Sequence, residues 1–526
     1  MFRSRAVFAP VSRTVTSFSD RAAVYDFVVI GGGSGGMAAA KEAASLGAKT
    51  VMFDYVEPSP TRGTKWGVGG TCVNVGCIPK KLFHYAALSG EALYDAAALG
   101  WQIQPYEHNA QHKWSVLVET VTNTVKKLNF IYKNGLRSSA VTYENAHARL
   151  SPDDPHTVIY TDNSGKERSV TAKHVLVAVG GRPTIPSEII GARELAITSD
   201  DLFTLPESPG KTLVVGGGYI AMECAGFLRS LGCPVTVAVR SRPLRNFDSQ
   251  ISEKIVSVMT ELGTVFKSAT PVKLEKTSDG KICVFFDSGE TEIYETVLLA
   301  TGRTPATRNL NLNPQALKKN GKIIIGTDML VHGYDCVYAI GDVADGRPEL
   351  TPVAVKDGEL LARRLFANSD KMITRADLIP TTIFTPIEYG TIGYSEDRAV
   401  AELGAENIEC YLYEWQTLER SAVHRPKLEH LRADDGDFEQ GNHNFCKLVI
   451  DKKTDKVVGF HFVGPNAGEV TQGFALALRL GAKKSDFDDT LGIHPTDAEA
   501  TVLMTVTKSS GLSFTAAGGC GGGKCG

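Results

Sequence analysis

A glycine motif between an apolar strand and a helix-forming stretch constrains the fold of this chain more than any other feature. Residues 25–30, YDFVVI, run into a GxGxxG motif formed by Gly31, Gly33 and Gly36, and MAAAKEAASLG and KTVMFD follow, ending at Asp54. In such a β–turn–α–β unit the glycines let a pyrophosphate approach the backbone at a helix N-terminus, where free N–H groups favour anions. Asp54 would accept from a ribose hydroxyl, which predicts an adenine dinucleotide without a 2′-phosphate. A glycine-rich turn in any α/β protein is the alternative.

The same pattern occurs a second time with one difference at its end. The strand TLVV leads into a GxGxxA motif that begins with Gly216 and Gly218, and a helical stretch and the strand PVTVAV follow. No acid ends this strand, and the sequence RSRPLR places Arg240 and Arg245 there instead. Guanidinium groups suit a phosphate dianion that an aspartate would repel, so we expect NADPH rather than NADH. Surface arginines without a ligand are the alternative.

A cysteine pair lies between the two motifs, in residues 69–81, GGTCVNVGCIPKK. Cys72 and Cys77 are close enough in sequence to form a disulfide, but a regular helix would separate them by about 7.5 Å along its axis. Bridged Cα atoms lie about 4.4–6.8 Å apart, so the segment is either distorted or begins its helix midway. Pro79 is tolerated in a first helical turn, which favours the second option. Two small buried thiols are the alternative.

Composition excludes several classes of protein. The chain has 526 residues, 43% apolar and 22% charged, with a net charge of −3, so nothing indicates a nucleic-acid surface. No apolar run approaches the ~20 residues of a membrane span. Ten cysteines are too few for a secreted disulfide framework. The first nineteen residues carry three arginines and no acid, which is typical of an organellar transit peptide; a disordered start is the alternative.

Three short apolar segments suggest that the first nucleotide domain is discontinuous. VLVAVGG (175–181) and VLLATGR (297–303) end in glycines, and CVYAIGDV (336–343) places Asp342 just past a strand. We expect the chain to leave the first domain, form the second and return. Asp342 could reach a ribityl chain or phosphate, and an N-cap for residues 352–367 is the alternative.

From about residue 377 the sequence alternates as in an antiparallel sheet. A polar, acidic stretch at 432–444 is typical of a surface insertion, and we assign it no function. The helical EVTQGFALALRLGA follows, and then IHPTDAEA, which holds His494 and Glu499. A histidine followed by an acid that can orient its ring is a candidate acid/base pair.

The chain ends in GLSFTAAGGCGGGKCG, a glycine-rich segment that holds Cys520 and Cys525. We expect residues 512–526 to be mobile, with a reach of roughly 45 Å when extended. That reach is long enough to cross a subunit interface. Lys524 should modestly favour a thiolate at Cys525.

These motifs, in this order over residues 25–510, resemble the pyridine nucleotide–disulfide oxidoreductases. The WG before the first cysteine pair and the CxxxxC tail resemble the high-molecular-weight thioredoxin reductases of the malaria-parasite type. The resemblance implies an α/β fold with two Rossmann-like dinucleotide-binding domains and an α+β dimerisation domain. The implied boundaries are a leader at 1–22, an FAD domain at 23–181 and 301–376, an NADPH domain at 182–300, a dimerisation domain at 377–511 and a tail at 512–526.

The resemblance implies a homodimer that uses FAD and NADPH to reduce thioredoxin in cell redox homeostasis. Cys77 would lie against the flavin, and Cys72 would face outward for interchange. Cys72 would then reduce the Cys520–Cys525 disulfide of the partner's tail, which passes the electrons to thioredoxin. No metal, nucleic acid or membrane is implied.

The family pattern also assigns supporting roles. His494 and Glu499 of the partner subunit would keep Cys72 nucleophilic, Lys80 would pair with Glu223 beside the flavin, and Tyr219 would cover the nicotinamide pocket. The remaining implied cofactor contacts are Ser34, Gly35, Gly70, Thr71, Lys81, Gly180, Ile220, Gly302, Arg303, Gly341 and Asp342.

Three alternatives remain: a glutathione-reductase-like enzyme with an incidental tail, a mercuric-reductase-like enzyme, and a flavoprotein used for binding or scaffolding. The expected location is the cytoplasm, or a mitochondrion or other organelle reached through the N-terminal leader.

Overall fold

The computed structural model describes residues 23–102, 112–162, 164–373, 376–423 and 443–516. The strands of these residues are β1 (Ala23–Ile30), β2 (Thr50–Asp54), β3 (Thr142–Asn145), β4 (His147–Leu150), β5 (Thr157–Thr161), β6 (Glu167–Val177), β7 (Gly181–Pro183), β8 (Ile197–Thr198), β9 (Thr212–Val215), β10 (Val235–Ala238), β11 (Val265–Lys267), β12 (Pro271–Lys276), β13 (Ile282–Phe286), β14 (Thr291–Tyr294), β15 (Thr296–Leu299), β16 (Arg303–Pro305), β17 (Val337–Ala339), β18 (Thr381–Ile383), β19 (Tyr389–Gly393), β20 (Ile408–Trp415), β21 (Asn444–Asp451) and β22 (Lys456–Val463).

The α-helices of the same residues are α1 (Ser34–Ser45), α2 (Gly70–Val75), α3 (Cys77–Ala98), α4 (Trp114–Ser138), α5 (Ala192–Leu195), α6 (Ser199–Leu202), α7 (Tyr219–Ser230), α8 (Ser249–Glu261), α9 (Thr351–Ala367), α10 (Glu396–Leu403), α11 (Leu418–Ala422), α12 (Ala467–Leu480) and α13 (Lys484–Asp488). None of these described helices is both long and apolar enough to span a bilayer.

The first unit is a sheet of order β3-β2-β1-β6-β5-β4, with β17 also paired to β6. Its strands β1, β2, β3, β6 and β17 run parallel, and the buried second half of β1 forms part of the core beneath α1. The chain leaves through β7 and comes back through β16, which pairs antiparallel with β7. Helix α9 then packs against α1 so closely that a Cβ on Gly358 would lie 2.5 Å from the carbonyl oxygen of Gly35.

The second unit is a fully parallel sheet of order β11-β10-β9-β15-β8, accompanied by the antiparallel sheet β12-β13-β14. Helix α7 crosses from this unit toward the first, where the Phe227 ring lies 5.4 Å from the Phe83 ring of α3. This aromatic contact brings the helix after the first cysteine pair against the helix of the second glycine motif.

The third unit is an antiparallel sheet of order β18-β19-β22-β21-β20 covered by α12. The predicted α/β architecture with a C-terminal antiparallel sheet is therefore confirmed. The prediction did not include the long helix α4 or strand β20. The N-terminal leader and most of the 432–444 insertion lie outside the described residues.

The beginning of the C-terminal segment is docked on this third unit. The Glu414 amide donates to the Phe514 carbonyl at 2.9 Å, and the Ala516 amide donates to the Glu414 carbonyl at 2.8 Å. The Phe514 ring lies 5.8 Å from that of Phe445. The segment expected to be mobile from residue 512 is thus held against β20 through residue 516, because an edge strand offers unpaired backbone groups. Residues 517–526, with both terminal cysteines, lie outside the described residues.

Candidate redox site

A cleft of about 890 Å³ opens where the first glycine motif, the cysteine segment and helices α7 and α9 meet. Its size is at the upper end for cofactor pockets, and it lies at the carboxyl ends of parallel strands, where open α/β sheets bind ligands. Of the predicted site residues, the cleft is lined by Gly31, Gly33, Ser34, Gly35, Asp54, Gly70, Thr71, Cys72, Cys77, Lys80, Gly180, Tyr219, Ile220, Glu223, Arg303, Gly341 and Asp342.

The first glycine loop has the shape needed for a pyrophosphate. Gly31 has a φ of +114°, and a Cβ there would lie 2.3 Å from the Ala178 carbonyl oxygen, so only glycine fits. Helix α1 begins after Gly33 with no side-chain cap and no acid in its first turn. Its N–H groups are therefore available to an anion.

Asp54 closes this loop from the end of β2. Its Oδ1 accepts a hydrogen bond from the Gly32 amide at 3.0 Å, and burial raises the pKa of its carboxyl group. The carboxylate also accepts from the Tyr55 amide and lines the cleft, where a remaining lone pair can accept from a ribose hydroxyl. These residues fit the adenosine half of a dinucleotide.

The cysteine segment lies directly on the first glycine loop. The Gly69 amide donates to the Gly32 carbonyl at 3.0 Å, and a Cβ on Gly70 would lie 2.7 Å from the Cα of Gly33. Helix α2 ends at Val75, Gly76 breaks the backbone with φ −133° and ψ −119°, and α3 starts at Cys77. A helix that begins midway was the predicted solution, and the break brings the two thiols together.

Cys72 and Cys77 are unbonded thiols in this structure and hydrogen-bond each other. Cys77 is exposed to the cleft and Cys72 is half-buried within α2. The expected division of roles, with Cys77 against the flavin and Cys72 for interchange, stays a prediction. The hydrogen bond from Cys72, with the charge of Lys80 and a contact from Thr351, lowers the pKa of Cys77 to about 6, and the same pairing raises the pKa of Cys72. Cys77 is therefore the thiol that ionises first.

A buried ion pair lies beneath the thiols. Lys80, one turn after Cys77 on α3, has its Nζ 3.0 Å from Glu223 Oε1 on α7, with the two side chains 15% and 3% exposed. The Phe384 amide of the third unit donates to the same Glu223 oxygen at 2.9 Å, and Lys80 Nζ lies 4.5 Å from the Phe384 ring centroid. The pair thus joins all three units at the cleft.

Asp342 and Arg303 line the opposite wall. Asp342 lies in a single 3₁₀ turn, Gly341–Val343, and its burial raises the pKa of the carboxyl group. It does not cap α9, whose N-cap is Leu350, so that alternative is wrong. Arg303 donates to the Thr71 hydroxyl at 3.2 Å, which ties strand β16 to the cysteine segment.

The second glycine loop repeats the first on an open surface. Gly216 has a φ of +130°, and a Cβ there would lie 2.3 Å from the Ala300 carbonyl oxygen. Helix α7 begins after Gly218, again without a side-chain cap or an acid in its first turn. Arg240 and Arg245 are exposed in the loop that follows β10. The surface therefore offers backbone N–H groups and two guanidinium groups to a phosphorylated dinucleotide.

The proposed acid/base pair is present but lies elsewhere. His494 Nδ1 is 3.0 Å from Glu499 Oε2, and the imidazole is 49% exposed. A Cβ on Gly492 would lie 2.6 Å from Glu499 Cγ, so the glycine leaves room for the acid. Neither residue lines the cleft of its own chain. Within one chain the structure does not bring His494 to Cys72.

Comparison with known proteins decides the family. Residues 25–358 match the family model described as pyridine nucleotide-disulphide oxidoreductase, and residues 379–505 match the dimerisation domain of the same family. The chain belongs to the pyridine nucleotide-disulphide oxidoreductases. This enzyme is therefore an oxidoreductase acting on sulfur groups, and family membership implies use of a flavin and a pyridine nucleotide. The dimerisation domain supports a homodimer.

The oxidoreductase is similar to curated proteins over nearly its full length. It is 53% identical to the thioredoxin reductase of Plasmodium falciparum isolate FCH-5 over 510 residues, covering 95% of this chain and 92% of the relative. It is 44% identical to thioredoxin reductase 2, mitochondrial, of Drosophila melanogaster over 504 residues, covering 94% of each chain.

Some expected cofactor contacts of the oxidoreductase are placed differently by the structure. Lys81 does not line the cleft: its Nζ lies 3.0 Å from Glu388 Oε1, because the next position on a helix points about 100° away from Lys80. Gly36 and Gly302 also lie outside the cleft lining. A Cβ on Gly36 would lie 2.0 Å from the Gly31 carbonyl oxygen, so Gly36 allows helix α1 to pack on the loop.

Sequence reasoning missed Thr351 of the oxidoreductase. Its hydroxyl lies 3.8 Å from the Cys77 sulfur, and it opens helix α9 with Pro352 behind it. A Thr-Pro pair is a recognisable helix start. Nothing local to it indicates a cysteine 274 residues away.

Proposed function

We propose that this oxidoreductase uses NADPH to reduce the disulfide of thioredoxin, with FAD in the cleft of the first unit. The observation that carries the proposal is the placement of the Cys72 and Cys77 thiols against the first glycine loop, beside the Lys80–Glu223 pair. FAD bound there would supply two-electron transfer between a nicotinamide and a dithiol. Gly31, Gly33 and the α1 N-terminus would hold its pyrophosphate.

The two thiols have different tasks. Cys77, whose pKa is lowered to about 6, is ionised at neutral pH and faces the cleft. Cys72 is the interchange thiol, which must lose its proton before it can attack. His494 of the partner subunit, oriented by Glu499 at 3.0 Å, takes that proton.

The exchange with the tail is a balanced thiol–disulfide reaction. The Cys72 thiolate attacks one sulfur of the partner's Cys520–Cys525 disulfide, forming a mixed disulfide and releasing the other sulfur as a thiolate. Cys77 then attacks Cys72, which closes the Cys72–Cys77 disulfide and frees the tail as a dithiol. The tail dithiol reduces thioredoxin by the same chemistry.

The tail is needed because the thiols line a cleft between three units, which a folded protein cannot enter. Ten residues follow Ala516, and an extended segment of that length reaches roughly 33 Å. That is enough to carry two thiols from a protein surface into a cleft. A small disulfide such as glutathione disulfide would not need such a carrier.

The test compares NADPH-dependent reduction of thioredoxin by the full-length homodimer with that by variants of its tail. Cys520→Ser, Cys525→Ser and removal of the last eight residues should each abolish thioredoxin reduction while NADPH still bleaches the bound flavin. Lys524→Gln keeps both cysteines and should retain most of the activity. Unchanged thioredoxin turnover in the cysteine variants, with rapid turnover of glutathione disulfide, would instead support the glutathione-reductase-like alternative.

We further propose that the N-terminal leader decides between the cytoplasm and an organelle. The support is the arginine-rich, acid-free composition of the first nineteen residues. Fluorescent fusions with and without residues 1–22 test this. Identical distributions of the two fusions would contradict it.

A further inference from the structure

An ion pair is buried between the second and third units, and neither of its residues lines the cleft that holds the thiols. Lys447 of β21 places its Nζ 3.1 Å and 3.0 Å from the two oxygens of Asp248, and both side chains are fully buried. Gln250 adds an oxygen at 3.2 Å, and Glu396 is a further partner of the ammonium group. Burying two charges is costly unless both are fully paired, so this contact constrains the position of the groups that make it.

Asp248 uses its carboxylate to join three elements. Oδ1 accepts from the Ile251 amide at 3.3 Å, which makes Asp248 the N-cap of α8. Oδ2 accepts from the Glu396 amide at 2.9 Å, at the start of α10 in the third unit. Lys447 supplies the positive charge that this shared carboxylate needs.

The residues just before Asp248 form the arginine loop, 240–247, which follows β10. Leu244, near its middle, has a φ of +49°, an uncommon conformation for a residue with a branched side chain. Its amide donates to the Gly217 carbonyl of the second glycine loop at 2.7 Å. A strained residue persists only when its surroundings hold it, and such residues concentrate at ligand sites.

The arginine loop is therefore held at its middle and at its C-terminal end. At its middle it is bonded to the second glycine loop, and the Cα of Pro243 would lie 3.3 Å from a Cβ on Gly217. At its C-terminal end Asp248 is fixed by Lys447 from another unit. Arg245 lies between these two anchors, and Arg240 precedes them at the start of the loop.

We propose that Lys447 is a positioning residue for coenzyme specificity: through Asp248 it holds the arginine loop in the conformation that recognises the 2′-phosphate of NADPH. This inference rests on the proposed use of NADPH. Lys447 itself acts through Asp248, because its side chain is fully buried and does not reach the surface that carries the arginines. Its loss should loosen the position of Arg245, which lies between the Leu244 contact and Asp248, while leaving the glycine loop, which binds the pyrophosphate of either coenzyme.

The test measures KM for NADPH and for NADH in the full-length flavoprotein. Lys447→Gln should raise the KM for NADPH about tenfold, the loss of roughly one phosphate contact, and leave the KM for NADH within about twofold. Lys508→Gln is the matched control: Lys508 contacts Glu396 at 2.6 Å in the same cluster but does not contact Asp248. Its KM for both coenzymes should stay at the wild-type value.

A purely structural effect of Lys447→Gln would leave the ratio of the KM for NADPH to the KM for NADH unchanged, for example by raising both values by the same factor. An unchanged ratio would overturn the inference. If Lys447→Gln does not fold, Lys447→Arg and a Lys447→Met, Asp248→Asn double variant are titrated with adenosine 2′,5′-bisphosphate. The double variant should bind it about tenfold more weakly than the wild type, and equal affinity would also overturn the inference. A wild-type enzyme with no preference for NADPH would instead contradict the proposed coenzyme.

Discussion

The two glycine motifs fold in the same way but lie in different surroundings. Gly31 and Gly216 each put the backbone where a Cβ would lie 2.3 Å from an alanine carbonyl of the neighbouring strand end. The first loop lies inside a cleft built from three units, with Asp54 at its end. The second opens onto a surface with Arg240 and Arg245 exposed.

This difference corresponds to two modes of binding. A ligand enclosed by the cysteine segment, α7 and α9 is retained through many turnovers, as a cofactor must be. A ligand on an open surface, held by backbone N–H groups and guanidinium groups, can exchange in every turnover. Under the proposed function the shared loop supplies phosphate binding, and we expect the surrounding units to decide how long each ligand stays.

The largest expected effect is on thioredoxin turnover. It separates the thiol chemistry beside the first glycine loop from coenzyme binding at the second glycine loop. Cys72→Ser removes the interchange thiol and should lower thioredoxin turnover by on the order of 10³-fold or more. Binding of NADPH, measured by titration, should be unchanged because the second loop is untouched. Cys283→Ser, at a half-buried thiol of the second unit, serves as the control. Substantial turnover by Cys72→Ser would contradict the assignment.

A matched pair of glycine substitutions tests the comparison itself. Gly31→Ala should yield a protein without bound flavin, because the new Cβ meets a backbone carbonyl in the cleft. Gly216→Ala should keep the flavin and raise the KM for NADPH by about tenfold or more. The measurements are the flavin-to-protein ratio and steady-state kinetics.

Gly47→Ala is the control for backbone strain in this pair. Gly47 has a φ of +89° but no atom within 4 Å of the Cβ position. It should therefore lose some stability, yet retain both flavin and coenzyme binding. Flavin loss in Gly216→Ala as well as in Gly31→Ala would show that the two loops do not act separately.

Substitutions in the arginine loop should have a smaller effect, which is confined to the KM for NADPH. Replacing Arg240 and Arg245 with Ala should raise the KM for NADPH roughly 10- to 100-fold, since hydrogen bonds to charged groups contribute about 1.5–3 kcal/mol. The KM for NADH should stay nearly constant because NADH lacks the 2′-phosphate. An equal rise for both coenzymes would mean that the arginines do not recognise this group.

The smallest expected effect concerns the pH dependence of the thiols. Because the pKa of Cys77 is lowered to about 6, its alkylation by iodoacetamide in the reduced, flavin-free enzyme should rise through pH 6 and level off above it. Lys80→Met removes one charge that lowers this pKa, so the midpoint should move to higher pH. The rate at pH 6 should then fall by less than about tenfold.

The alkylation experiment uses a Cys520→Ser, Cys525→Ser background so that the tail thiols do not react. Mass spectrometry assigns the modified cysteine. Preferential modification of Cys72 at pH 6 would reverse the assignment of the two thiols. An unchanged midpoint in Lys80→Met would show that the charge of Lys80 does not lower the pKa of Cys77.

Local features of this protein could be predicted from the sequence because they encode their own geometry. Gly31 and Gly216 each occupy a strand-to-helix turn with a positive φ, and the acid or arginine at the end of the next strand predicts a different dinucleotide for each turn. The helix break between Cys72 and Cys77 followed from their spacing and from Pro79. His494 and Glu499 are five residues apart and meet within one short segment.

Only the tertiary structure decided the contacts between distant parts of the chain. Lys447 and Asp248 are 199 residues apart, and no sequence feature predicted their contact. Lys80 and Glu223 are 143 residues apart and were expected to pair only through the family resemblance, and the structure contains that ion pair. These pairs form because three separately folded units pack against one another, and no local pattern marks the partner of a buried charge. The packing also adds to the local effects of Cys72 and Lys80 that lower the pKa of Cys77, since Thr351 approaches this thiol from the distant helix α9.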